Sequence, residues 1–236
     1  MTHTRETRGR ASEIKFIVDA AVGERVRRWA REHLDADPFG GGPLGDEYRT
    51  SSLYLDTAEQ AVFHRRGSFG RAKYRIRRYD SSDTVFLERK LRQPRLLIKR
   101  RTEVPITDLS LLEVPDAADW AGRWFAQRLR VRGLQAACHL SYHRVARGLA
   151  TADGPLRLTV DDRLQAAPAL GLRPGEDAGV PPLAILPGRM IVEMKFRDQA
   201  PMLFKRLVEE FRLTPMRTSK YRLGIEAMQG QVAAVS

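Results

Sequence analysis

The sequence holds one cysteine, Cys138, in 236 residues. A lone thiol excludes an internal disulfide and any cysteine-cluster metal site, and a cytoplasmic location is the default. Long apolar runs are also missing: no stretch approaches the roughly 18–20 residues of a membrane-spanning helix. The opening MTHTRETRGR is basic but leads into no apolar segment, which excludes a secretory signal, and residues 1–11 read as a solvated basic tail. The five histidines have no ligand spacing. His139 and His143 fall on an expected strand, on one face but ~13 Å apart at ~3.3 Å per residue, so zinc is not expected. Neither Cys138 nor the Ser51-Ser52 pair stands in a recognisable arrangement with a base. Positive charge is abundant instead: 41 Lys and Arg against 29 Asp and Glu give a formal charge of +12. Such a surface draws polyanions, whether nucleic acid, anionic membrane or phosphate-rich small molecules.

Periodicity supplies the elements. Alternation predicts strands at 12–18, 48–56, 71–79, 84–91, 96–104, 134–147, 155–162 and 189–196, with a tight turn at Asp80–Asp83. Helical spacing appears at 23–34, 116–130 and 201–211, the last opening on Pro201. Gly and Pro mark 35–47 and 166–187 as loops. Residues 218–228 fit either a strand or a helix. No composition break divides the chain, so the expectation is one α+β domain over 12–228, built round a large antiparallel sheet or barrel flanked by helices, with a short tail at 229–236.

The strands are unusual in their polar faces. Arg71, Lys73, Arg75 and Arg77 share one face, and Glu88 and Lys90 share another. Lys99, Arg101 and Glu103 follow, then Tyr142 and Arg144, then Arg157, Thr159 and Asp161. In IVEMKF (191–196), Val192, Met194 and Phe196 point one way, while Glu193 and Lys195 point the other. A sheet with one face in water is one account. Yet four cations in line repel one another. A closed barrel with a charged interior, its apolar faces turned outward under the helices, accounts for the pattern better, and it requires an anionic guest. Glu13, Glu88 and Glu193 sit among these cations. Each either pairs with the lysine two residues on, or serves a divalent metal, because Mg²⁺ and Mn²⁺ take one or two carboxylates and complete their shell with phosphate and water.

The segments SEIKF, SLYLDT, KYRIRRY, FLERK, IKRR, SYHR, LRLTVDD, VEMKF and SKYRLG occur in the order of the VTC-type polyphosphate polymerase domain. The chain resembles that family, and through it the triphosphate tunnel metalloenzymes with their CYTH-type triphosphatases, from about Ser12 to Met228. The resemblance implies an eight-stranded antiparallel β tunnel. It implies that Arg75, Arg77, Lys90, Arg144 and Arg157 act on the phosphates with Lys15, Lys99 and Lys220. Lys73 and Lys195 join them from the same strand faces, and Tyr221 is a further candidate beside Tyr142. Glu193 is implied as the ligand of Mn²⁺ or Mg²⁺, with Glu88 and Glu13 as further candidates on the wall. The implied activity is transfer of the γ-phosphoryl of ATP to a growing polyphosphate chain. Hydrolysis of a triphosphate and binding of polyphosphate without turnover are the alternatives. Nucleic acid is not the expected partner, since the carboxylates would repel its backbone. One departure is Ala11, where the wider superfamily opens on Glu-x-Glu-x-Lys. Another is that this chain shows neither the phosphate-sensing domain nor the membrane helices of the eukaryotic polymerases, so a membrane partner is an open expectation.

Overall fold

The computed structural model describes residues 4–9, 12–93, 96–114, 119–175 and 179–235. Among these residues eleven strands are present: β1 (Thr4–Gly9), β2 (Ser12–Asp19), β3 (Asp35–Ala36), β4 (Glu47–Asp56), β5 (Ala72–Tyr79), β6 (Thr84–Arg92), β7 (Leu97–Pro105), β8 (Gln135–Leu149), β9 (Leu156–Ala167), β10 (Leu183–Ala184) and β11 (Arg189–Phe196). The same residues form four α-helices: α1 (Ala20–His33), α2 (Arg123–Arg132), α3 (Met202–Glu210) and α4 (Lys220–Val235). The main strands run β1-β7-β6-β5-β4-β8-β9-β11-β2, with β10 on β9 and β3 on β8.

The period-two alternation decides which face packs. Phe16 and Val18 of β2, Leu158 and Val160 of β9, and Val192, Met194 and Phe196 of β11 pack under α1 and α3, which contribute Val26, Trp29, Phe204 and Leu207. Leu53, Leu55, Tyr74, Ile76, Val85 and Leu87 pack likewise under α2, on Phe125, Ala126 and Leu129. Gly133 ends α2 in the left-handed region at φ 57°, and its N–H bonds back to Arg130 O and Leu129 O, a conformation that suits glycine. The apolar faces therefore point outward under helices, as the charge pattern predicts, and the ionic faces line the concave side.

Three expectations change. A closed eight-stranded barrel is not found: among the described residues the hydrogen-bonded path has two ends, β1 and β2, and no ladder joins them. The sheet nevertheless curls far enough for Lys90 Nζ on β6 to reach Glu13 Oε2 on β2 at 3.0 Å. Second, Thr4–Gly9 lie in β1, paired with β7, rather than in a tail. Third, the tail expected from 229 is helical as far as Val235, because α4, which begins at Lys220 and takes the helical of the two forms open for 218–228, runs on through it. The helix expected at 116–130 starts later, at Arg123, and part of that expectation, with Ala11, lies outside the described residues.

α4 is the element that shapes the interior. It lies on the concave face, with Tyr221 and Ile225 packed among Tyr54, Leu140 and Ile191. Gly224 permits the approach: a Cβ there would stand 2.8 Å from Leu140 Cδ2 and 3.0 Å from Cys138 Sγ. The helix fills one end of the trough and leaves the other end charged.

Candidate functional site

Strand register gathers the charges. On β5, Lys73 faces Lys90 and Arg75 faces Glu88 of β6. On β6, Lys90 faces Lys99 and Glu88 faces Arg101 of β7. Across the sheet, β11 sets Glu193 against Lys15 and Lys195 against Glu13 of β2, and Lys195 against Arg157 of β9. The concave space that these side chains enclose is a cavity of about 460 Å³, lined among the described residues by fourteen lysines and arginines and three glutamates. All of the sequence-predicted residues line it except one: Lys15, Lys73, Arg75, Arg77, Lys90, Lys99, Arg144, Arg157, Lys195, Lys220, Glu13, Glu88 and Glu193.

The exception is Tyr221. Its ring is buried and stacked on Tyr54, with centroids 5.2 Å apart, and its hydroxyl donates to Asp56 Oδ2 at 2.5 Å. Burial and the Asp56 carboxylate push its pKa up. It is a core residue that anchors α4, not a phosphate contact. Arg71 also leaves its expected company, since it is exposed in a 3₁₀ turn ahead of β5.

Two groupings divide the wall. In the first, Glu88 Oε2 accepts from Arg75 Nε at 2.5 Å, and Glu88 Oε1 lies 3.5 Å from Arg101 Nε. Arg75 also donates to the Tyr54 hydroxyl at 3.1 Å. Arg77 donates to Ser52 Oγ at 3.1 Å and to the Tyr142 hydroxyl at 3.2 Å. Burial works to raise the Glu88 carboxyl, but Arg75, Arg77 and Arg101 outweigh it and hold the group at about 2. Burial opposes ionisation of Tyr54 too, yet Arg75, Arg77 and Lys73 bring its hydroxyl down to about 8. Lys73, desolvated and beside Lys15, Lys90 and Arg75, is likewise lowered to about 8.

In the second grouping, the Lys15 ammonium stands 2.8 Å from Glu13 Oε1 and 3.6 Å from Glu193 Oε2. Lys195 Nζ is 2.6 Å from Glu193 Oε1. Desolvation works to raise the Glu193 carboxyl, but Lys195, Lys15, Lys220 and Arg144 keep it well below the ordinary carboxylate range. Glu13, subject to burial and to repulsion from Glu193, is still held at about 2 by Lys15, Lys90 and Lys195. Buried Asp161 takes a fork from Arg144 at 2.6 and 2.8 Å and the Lys220 ammonium at 2.6 Å. That fixes one wall cation on β8 and another at the start of α4. Ser219 and Lys220 both face the cavity, so the positive end of a 16-residue helix adds to its field.

Glu13 and Glu193 therefore stand together round one cation position, while Glu88 is tied up by arginines. Among the described residues no group of three or more His, Cys, Asp or Glu side chains could hold a metal by itself. Two carboxylates already arranged round a positive charge do fit a hard divalent ion that takes its remaining oxygens from phosphate. Sequence reasoning missed Arg5 and Thr7 of β1, together with Tyr54, Tyr79, Arg89, Arg100 and Ser219. The segment TRETRG carries no apolar residue to mark it as a strand. Tyr54 sits on β4, whose ionic face is too sparse to announce itself.

The VTC domain family matches residues 10–229. No curated protein matches. Among solved structures, a Bacillus halodurans protein named as a candidate adenylate cyclase is 16% identical, at a TM-score of 0.54, over 90% of this chain and 95% of that one. Protein PH1819 from Pyrococcus horikoshii is 12% identical at a TM-score of 0.49, over 91% and 99%. A Hippeastrum protein named for a dominant triphosphatase activity is 14% identical at 0.47, over 90% and 93%. The match to the family over nearly the whole length, on a chain whose strands enclose one ionic cavity, places this protein in the VTC domain family.

Proposed function

We propose that the protein is a polyphosphate polymerase that transfers the γ-phosphoryl group of ATP to the end of an inorganic polyphosphate chain. The observation that carries the reading is the excess of fourteen cations over three carboxylates round one cavity. In the transfer, a terminal oxygen of the chain forms a bond to the γ-phosphorus. The bond from that phosphorus to the β–γ bridging oxygen breaks, and ADP leaves. The attacking phosphate oxygen is already anionic, so no side chain has to remove a proton, and the task falls on alignment and charge. Arg75 and Arg77, held by Glu88, Ser52 and Tyr142, present fixed guanidinium planes to the phosphate oxygens. Arg144, its guanidinium held by Asp161, does the same, and Lys220, held by the same carboxylate, adds an ammonium. Glu193 and Glu13 are the residues to hold Mn²⁺ or Mg²⁺, which when bound offsets charge on the triphosphate oxygens.

Hydrolysis is the second reading, favoured by one specific feature. Tyr54 lies in the cavity wall with its hydroxyl at about 8, next to Lys73 at about 8, and a group so poised can take a proton from water. Incubation of the pure protein with ATP and Mn²⁺ separates the two. A ladder of phosphate chains on a gel is expected; orthophosphate as the sole phosphate product would replace the polymerase reading with the hydrolase one.

A further inference from the structure

A second cavity, of about 510 Å³, lies beside the end strand β2. Its walls are β2 at Glu13 and Lys15, the segment 215–219, the first turns of α4, and Arg65. Met216 N donates to Lys15 O at 2.8 Å, so the segment 215–219 runs along β2 where the sheet path ends. Glu13, Lys15 and Ser219 line both cavities. The two spaces therefore share a wall at the Lys15 ammonium, between Glu13 and Glu193. α4 lines both spaces, with Lys220 facing the first cavity and Arg222, Leu223 and Glu226 facing the second.

Its chemistry points to an anion. Lys15, Arg65, Arg217 and Arg222 line it, against Glu13 and Glu226. Arg222 is engaged, donating to Phe63 O at 2.8 Å and lying 3.5 Å from Glu226. The side chains of Arg65 and Arg217 make no hydrogen bond or ion pair among the described residues. Guanidinium groups left unpartnered on one concave surface raise the local concentration of anions. Among the described residues the lining contains no aromatic ring, so they offer a nucleobase no stacking surface. A flexible chain of phosphates needs none.

We propose that this cavity binds the continuing segment of a linear polyphosphate whose end lies in the tunnel, with Arg65 and Arg217 as its phosphate contacts. The inference rests on the polyphosphate reading above. The test is calorimetric titration of the full chain with tripolyphosphate, long-chain polyphosphate and ATP, comparing wild type with an Arg65→Glu/Arg217→Glu double variant and an Arg65→Lys/Arg217→Lys control. The Glu variant is expected to bind tripolyphosphate and ATP within about twofold of wild type but long chains about tenfold more weakly, since exposed charge contacts are individually modest. The Lys control is expected to hold its long-chain affinity. Long chains bound equally well by the Glu variant, or weakened no more than tripolyphosphate, would overturn the proposal. So would a loss confined to ATP, which would make the cavity a nucleoside site. Wild-type protein that binds neither inorganic chain would refute the polyphosphate reading itself, and this inference with it.

Discussion

The Lys15 ammonium, set between Glu13 and Glu193, marks where a positive charge is wanted at the scale of single residues. Glu193→Gln keeps the shape and removes the charge. Mn²⁺-dependent turnover is expected to fall by at least about 100-fold, the upper end of what losing a residue that merely supports a metal ligand costs. Circular dichroism should show the fold retained; a variant that stays fully active refutes the assignment of Glu193 to the metal. Glu88 tests the other grouping. Its carboxyl is held at about 2 in the fold, against an ordinary 4.5. A depressed carboxyl contributes stability above its ordinary range, and that contribution is lost as pH falls from about 4.5 toward about 2. Glu88→Gln should cost on the order of 2–3 kcal/mol near neutrality, less than for a fully buried pair because the site is partly solvated. Urea unfolding at about pH 7 and about pH 3 should find the gap between variant and wild type narrowing with acid; a gap that holds constant means the carboxylate is not paired as described.

At the scale of elements, the helix that fills the trough depends on one missing side chain. Gly224→Leu would drive a Cβ and more into Leu140 and Cys138 of β8. Overpacking of this kind costs about 1–3 kcal/mol. Here it should also shift Ser219 and Lys220 at the mouth of the helix, so tripolyphosphate affinity should fall along with thermal stability. Unchanged affinity in a destabilised variant would detach α4 from the site. Elements of this kind were also the least legible ones. The main strands and α1 could be read because an apolar alternation or stripe meets a single neighbour. α4 hides its buried Tyr221 and Ile225 in KYRLGIEAMQ, where alternation and helical spacing coexist. β1 has no apolar residue at all and is held by its ladder with β7, a long-range bond set that composition does not encode. The cavity residues were legible because each main strand carries its own ionic face. Which carboxylates meet was not, because register decides it: Glu13 reaches Glu193 through adjacent strands, while Glu88 is consumed by Arg75 and Arg101.

The whole molecule concentrates its charge. The chain carries +12 overall, and fourteen of its cations face one cavity. With no guest bound these groups repel, so an anion that binds the folded state alone should stabilise it, by an amount that grows with the logarithm of its concentration. The contacts are charge on charge, and the screening length shrinks from ~10 Å at 0.1 M salt to ~3 Å at 1 M. Tripolyphosphate should therefore raise the unfolding temperature strongly at low ionic strength and weakly at high. Arg75→Ala removes one contact of that set while leaving Glu88 with Arg101 and Arg77 as neighbours. Its affinity should be about tenfold lower at low salt, and the two titration curves should converge as salt is added. A deficit that persists undiminished at high salt would mean that Arg75 acts by shaping the wall through Tyr54 and Glu88 rather than by its charge on the phosphates.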